Sequence, residues 1–339
     1  MNNNLERNIV RAQVSAVHRD LFKVICEYGE KDATLKSSIY FNEVQLETFP
    51  TVGDFVEIEY NDNGPSRIIK TLERKTYFSR KDPDPNRGEQ AVAANFDYVC
   101  IVTSMNHDFN LRRMERYLTV AWESGAQPII VLTKADLTDN MEDYVSQLEY
   151  TAIGVEIIPV SSKTGYGLDV LRPYVGEGKT VVFMGSSGVG KSTLINALAG
   201  CEIMDTGEIR EDDSKGRHTT THRQLIELPT GARVIDTPGM RELGMWEVSE
   251  GLSEAFGDIE ALICGCKFSD CTHKNEPGCK INEALMDGTL LPERWKRYLT
   301  LKKESRYAEK KQALLKSIAE RKSNTHKVYT RKKKVDYYE

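Results

Sequence analysis

The 339-residue sequence has no apolar run long enough to cross a membrane; the longest are short, such as Pro128-Ile129-Ile130-Val131-Leu132. The first residues, Met1-Asn2-Asn3-Asn4-Leu5-Glu6-Arg7, lack a basic stretch followed by an apolar core. No secretory leader is therefore expected, and the expectation is a cytoplasmic protein with no membrane partner. Internal repeats are absent, as is low complexity beyond the basic Arg331-Lys332-Lys333-Lys334. With 40% hydrophobic and 29% charged residues, the composition excludes an intrinsically disordered chain.

What is present is uneven. The net charge is −5, yet residues 302–339 carry 13 Lys/Arg against 5 Asp/Glu, leaving −13 on the first 301. An acidic body with a basic tail points to a polyanionic partner, or to a solvated charged helix. Seven cysteines is an odd number, and four of them fall between 264 and 279. In a reducing compartment that clustering favours a metal over disulfides. The length suggests two or three domains.

Residues 1–72 read as a small β-barrel. Alternating runs at Val10–Val17, Leu21–Tyr28, Ser37–Phe41 and Phe55–Tyr60 are separated by turn clusters at 28–32 and 61–65. Five or so strands in about 70 residues suit an OB-type barrel, which often binds oligonucleotides but also serves as a plain structural module. Residues 73–93, with Asp82-Pro83-Asp84-Pro85, read as a polar linker opening a domain that runs from 73 to 243. From Phe96 strands alternate with helices: strands at 98–102, 128–132, 156–160, 181–184 and 233–235, helices at 111–123 and 141–153. That alternation predicts a parallel, doubly wound α/β sheet. Residues 244–339 read as helical around the cysteine cluster, with helices over 249–263 and 299–319.

The chemistry-bearing motifs lie in the middle domain. Gly185-Ser186-Ser187-Gly188-Val189-Gly190-Lys191-Ser192-Thr193 fits G-x-x-x-x-G-K-[ST], between an apolar strand and a helical run closed by Gly200. Its backbone N–H groups and helix N-terminus suit phosphate, with Lys191 reaching the β- and γ-phosphates and Ser192 ligating Mg²⁺. Asp236-Thr237-Pro238-Gly239 follows an apolar strand; a D-x-x-G there holds Mg²⁺ through water and meets the γ-phosphate with the Gly239 N–H. Thr133-Lys134-Ala135-Asp136 fits [NT]-K-x-D, whose carboxylate accepts guanine N1–H and N2–H₂, donors that adenine does not offer. Threonine in place of asparagine is expected to weaken the brace from position 133 to the phosphate loop. Ser161-Ser162-Lys163 would cover the guanine with backbone amides.

In the usual GTPase order the phosphate loop comes first; here the base-recognition motifs precede it. The expectation is a circularly permuted P-loop GTPase domain whose D-x-x-G segment runs directly into the C-terminal domain. Switch I is expected in Gly216-Arg217-His218-Thr219-Thr220-Thr221, with Thr221 favoured for Mg²⁺ and Thr220 close behind. Met240 occupies the place of the water-orienting glutamine, so His218 is the candidate catalytic residue and slow, partner-stimulated hydrolysis is expected.

Cys266, Cys271, His273 and Cys279 are spaced C-x4-C-x-H-x5-C, three thiolates and one imidazole for one closed structural Zn²⁺. Cys264 is a spare thiol that could exchange with Cys266. The loop is poor in apolar residues, so the metal is expected to supply much of its folding energy.

Taken together, T-K-A-D, S-S-K, G-S-S-G-V-G-K-S-T, G-R-H-T-T-T, D-T-P-G and the zinc spacing resemble the RsgA family. These are the ribosome-small-subunit-dependent GTPases, also called YjeQ/YloQ. The resemblance covers nearly the whole chain. It implies an α/β multidomain protein with an N-terminal OB barrel contacting 16S rRNA, a permuted GTPase domain and a C-terminal zinc-binding helical domain. It further implies GTP hydrolysis to GDP stimulated by the 30S subunit, late maturation of that subunit, and release after hydrolysis. The family's proposed catalytic histidine matches His218, and its hydrophobic residue after D-T-P-G matches Met240. A monomer is expected. Two other classes remain: a GTP-binding switch on a protein partner, and an ATP-dependent kinase or metabolic enzyme.

Overall fold

The computed structural model describes residues 8–18, 21–36, 49–81, 89–204, 224–236, 252, 255–306 and 310. Near the N-terminus, strands β1 (Ile9–His18), β2 (Leu21–Cys26), β3 (Gly29–Leu35), β4 (Phe55–Glu59) and β5 (Ser66–Thr71) pair in the order β1-β2-β3-β5-β4. β4 returns to β1, so the barrel closes and leaves no free edge. All pairs are antiparallel except β3 with β5. Side chains alternate across each strand, and the inward set Val10, Ala12, Val14, Phe22, Val24, Ala33, Val56, Ile58 and Ile68 fills the barrel. The expected turn at 28–32 is shorter than read: Glu27 and Tyr28 make it, and Gly29 already begins β3. β5 was not among the expected runs, and the run at Ser37–Phe41 lies outside the described residues.

The polar stretch read as a linker is instead a hairpin. β6 (Tyr77–Lys81) pairs with β7 (Glu89–Ala94). Phe78 stacks on Phe96 at 4.7 Å, and Val92 and Ala93 are buried in the core of the next domain. Its apolar side chains are mostly small, and charged residues surround them in sequence, so no strand pattern stands out.

The central sheet follows the expected alternation. β8 (Tyr98–Ser104), β9 (Gln127–Thr133), β10 (Glu156–Pro159), β11 (Thr180–Met184) and β13 (Arg233–Asp236) run parallel in the order β10-β9-β8-β11-β13. A short strand, β12 (Gln224–Glu227), adds antiparallel to β13. Every residue of β11 is buried, as a strand covered on both faces requires. Helix α1 (Leu111–Glu123) starts where the Asn110 side chain accepts from the Arg113 N–H. With α2 (Met141–Glu149) it covers one face through Met114, Leu118 and Leu148. Helix α3 (Lys191–Ala199) covers the other through Leu194, Ile195 and Leu198.

Barrel and sheet are continuous. Ala16 of β1 pairs with Gln224 of β12, joining all the strands except the hairpin into one 11-stranded sheet. The seam is tight: a Cβ on Gly53 (φ +90°) would lie 2.0 Å from the Ala94 carbonyl oxygen. Buried Gln13 donates to the Gly53 carbonyl at 3.1 Å and accepts from Arg233 at 2.7 Å.

Beyond the sheet lie α4 (Gly257–Cys264), α5 (Lys280–Asp287) and α6, spanning 292–306. Phe256, Ile259, Ile281, Leu290 and Tyr298 form their core. α6 begins seven residues earlier than expected, at Pro292, whose fixed φ suits a first helical turn. The expected helix over 249–263 is described mainly in its second half.

This helical unit docks on α1. Arg294, 3% exposed, donates two bonds to Asp258 (2.9 and 2.7 Å) and one to the Thr151 carbonyl at 3.0 Å. Arg297 donates to buried Glu115 of α1 at 2.6 Å, with Arg294 3.8 Å away. Burial raises the Glu115 carboxyl above its usual range, an effect that Arg297, Arg294 and Arg112 offset only in part.

Candidate functional site

Because β8, β9, β10, β11 and β13 are parallel, the loops at their C-terminal ends share one edge of the sheet, where ligands bind in open α/β folds. The motifs read from sequence fall at four of those ends, so permuting their order leaves the site assembled.

At the end of β11, Gly185 turns the chain with φ +153°; a Cβ there would meet the Val102 carbonyl oxygen at 2.3 Å. Only glycine lets the loop pass this close to β8. Gly190 is the N-cap of α3 and no side chain caps that turn, so the helix's first N–H groups remain for an anion. The Lys191 ammonium donates to the carbonyls of Gly185 and Ser186, each at 2.7 Å, and so sits over the loop. Ser186 and Val189 are buried, Ser192 is half-buried, and Ser187, Gly188 and Thr193 are exposed.

Two residues of T-K-A-D reach back to this loop. The buried Thr133 hydroxyl lies 2.6 Å from the Val189 carbonyl and 3.2 Å from that of Thr103; its one proton serves the nearer. The brace from position 133, expected to be weaker than an asparagine's, is made here by a short direct bond, because β9 brings Thr133 next to the loop backbone. Lys134 takes a left-handed conformation (φ 63°), and its ammonium donates to the Gly188 carbonyl at 3.0 Å. Ala135 donates its N–H to the Val160 carbonyl, which ties the motif to the next loop.

Asp136 is exposed, and its carboxylate accepts from the Ser161 hydroxyl at 2.7 Å. That bond holds the carboxyl below its ordinary value, with Lys163 adding to the effect. Ser161 is buried and also accepts from the Thr164 N–H at 3.2 Å, which orients its donor toward Asp136. Ser162 is half-buried and Lys163 exposed. The result is a fixed, ionised acceptor facing solvent at the same edge as the phosphate loop.

The D-x-x-G arm begins there too. Val182 pairs with Ile235, so Asp236 ends β13 beside the loop strand. Its side chain, Thr237–Gly239, Met240 and the switch I stretch with His218 and Thr221 lie outside the described residues.

One residue escaped the sequence reading. Asn196 on α3 accepts from the Ile203 and Met204 N–H groups (3.0 and 2.8 Å) and donates to the Met204 carbonyl at 2.9 Å. The clue was an asparagine inside a helix, where its side chain normally competes with the backbone.

The second site is the cysteine cluster. The donor atoms of Cys266, Cys271, His273 and Cys279 all lie within 4.8 Å of one another. His273 Nδ1 is 3.6 Å from the sulfurs of both Cys266 and Cys279. Burial lowers the His273 pKa, favouring the neutral imidazole that ligates metals, and Trp295 packs edge-on at 5.7 Å. All seven cysteines are free thiols, and exposed Cys264 stands outside the foursome. Three sulfurs and one nitrogen converging on a point fit a tetrahedral metal site.

Comparison with known proteins agrees. The family model described as RsgA GTPase matches residues 71–246. The small ribosomal subunit biogenesis GTPase RsgA 1 of Listeria monocytogenes is 50% identical over 299 residues, 88% of this chain and 84% of that protein. The RsgA protein of Methanosarcina acetivorans is 44% identical over 290 residues, 85% and 79% of the two chains. Among solved structures, YjeQ from Thermotoga maritima superposes with a TM-score of 0.66 at 28% identity, covering 86% of this chain and 97% of that one. YloQ, described as a circularly permuted GTPase, gives 0.61 at 23% identity, covering 91% and 99%, and speaks for the fold alone. Permuted strand-end motifs, closed barrel and Cys/His cluster are thus found together with a family match over half the chain and relatives aligned over most of it: the chain belongs to the RsgA GTPase family.

Proposed function

We propose that this chain hydrolyses GTP to GDP and phosphate in the late maturation of the small ribosomal subunit, which accelerates the reaction. The observation that carries the reading is the convergence of the ionised Asp136, oriented by Ser161, with the Gly185–Thr193 loop, bridged by Lys134 and Thr133. The relatives named as small ribosomal subunit biogenesis GTPases support the partner.

In this reading Asp136 accepts two hydrogen bonds from guanine, which adenine cannot supply, and the Lys134 stem lies along the base. Ser161, Ser162 and Lys163 close over it. The amides of residues 186–193 surround the phosphates. Lys191 has three donors, enough to keep a loop carbonyl and add a phosphate oxygen. Ser192, Thr221 and Asp236 would hold Mg²⁺, which neutralises charge on the β- and γ-phosphate oxygens. Gly239 meets the γ-phosphate, and His218 positions the attacking water that Met240 has no polar group to orient. Cys266, Cys271, His273 and Cys279 hold one Zn²⁺ in a structural role. The protein works as a cytoplasmic monomer whose barrel meets 16S rRNA.

Turnover with purified small subunits tests this. GTP hydrolysis should be slow alone and accelerated by the subunit, with GTP but not ATP competing for the site. No acceleration removes the ribosomal role; equal competition by ATP removes the base assignment.

A further inference from the structure

Away from the nucleotide edge and the cysteine cluster, a cleft of about 450 Å³ opens between α1 of the sheet and α6 of the helical unit. One wall carries Arg112 and Arg116, the other Lys296 and Arg297, so four cations line it against two carboxylates, Glu115 and Glu293. The chain as a whole is at −5, so this recess runs against its average.

The charges are not equally engaged. Glu115 is buried, and Arg297 with Arg294 balances it. Arg116 bonds Glu304 at 2.8 and 3.1 Å in an exposed pair, which water and salt weaken. Arg112 and Lys296 are exposed and make no side-chain hydrogen bond or ion pair among the described residues. Arg112 acts on buried Glu115 only through space, and neither cation on the facing walls is held by a direct bond among the described residues. They raise the positive potential of the cleft and are available to an incoming polyanion.

We propose that this cleft between α1 and α6 binds RNA, gripping backbone phosphates with Arg112 and Lys296 from opposite sides. RNA is favoured over an acidic protein segment because the basic character continues along the chain. α6 carries Lys302, Lys303 and Arg306, and in sequence residues 302–339 hold 13 Lys/Arg against 5 Asp/Glu, a charge excess suited to a polyanion. The inference rests on the small-subunit reading above and adds a contact surface distinct from the barrel.

Salt titration of the full-length protein on a fluorescein-labelled single-stranded RNA of about 20 nucleotides tests it. Each lost phosphate contact flattens the plot of log K against log salt by about 0.7 on a single strand. The Arg112→Glu/Lys296→Glu variant should therefore lose about 1.4 in slope, and bind on the order of tenfold more weakly near 0.1 M salt, with GDP affinity unchanged. Glu293→Gln should do the reverse, tightening binding, a gain that misfolding cannot mimic. Unchanged slope and affinity in both variants overturn the proposal, as does a wild-type chain without salt-dependent RNA binding. Unchanged RNA affinity with lost small-subunit binding assigns the cleft to an acidic protein segment and overturns the RNA assignment. Subunit-stimulated turnover of the wild type, measured alongside, separates these failures from failure of the ribosomal role.

Discussion

The nucleotide edge and the cysteine knuckle are anchored in opposite ways. The phosphate loop and T-K-A-D hang from β11 and β9, where every residue but Gln127 is buried and the backbone is paired on both sides. Between Cys266 and Cys279 only Cys279 is buried; the stretch is a crossing between two short helices. The first region owes its geometry to a sheet that packs without any ligand. The second brings together four donors whose convergence a bound metal would repay. Removing a ligand should therefore cost the first region its chemistry and the second its structure.

The largest effect is expected from stripping the metal. Structural zinc contributes apparent binding energies on the order of 10 kcal/mol. A strong chelator, or Cys271→Ser, should abolish hydrogen-exchange protection over 255–306 while the strands of the sheet keep theirs. Equal loss in both regions would erase the contrast.

Next comes Asp136→Ala, which removes two charge-assisted bonds of about 1.5–3 kcal/mol each. GTP affinity should fall roughly 10²- to 10⁴-fold, with the thermal transition nearly unmoved, since the carboxylate is exposed. Calorimetric titration with GTP and a melting curve decide it.

Arg294→Met probes the joint between the two regions. It leaves Asp258 and buried Glu115 short of a partner, at about 3–5 kcal/mol of stability. Urea unfolding should show an earlier transition of the helical unit, with GDP affinity retained. Smallest is Thr133→Val, which deprives the Val189 carbonyl of its donor at about 1 kcal/mol and should weaken GDP binding about fivefold.

Much of this could be read from the residues. Helix Leu111–Glu123 falls on its expected bounds because Leu111, Met114, Leu118 and Ala121 carry clear helical spacing. The phosphate loop, T-K-A-D and the four metal donors are local patterns whose spacing survives any fold. What escaped depended on distant partners. The β6–β7 hairpin has small apolar residues that gain meaning only beside Phe96, and β12 has four residues with one buried. Glu115 looks like a solvated helix residue until α6 brings Arg297 against it. Thr133 departs from the more usual asparagine, and only the packing of β9 beside the phosphate loop reveals that its hydroxyl still spans the gap.

The most direct test of the account combines both regions in one assay: GTP turnover with and without purified small subunits, before and after metal removal. With Mg²⁺ restored, the protein stripped of the cysteine-cluster metal should keep GTP binding and its slow basal rate but lose stimulation by the subunit. Loss of GTP binding on stripping, or stimulation that survives it, would contradict the account.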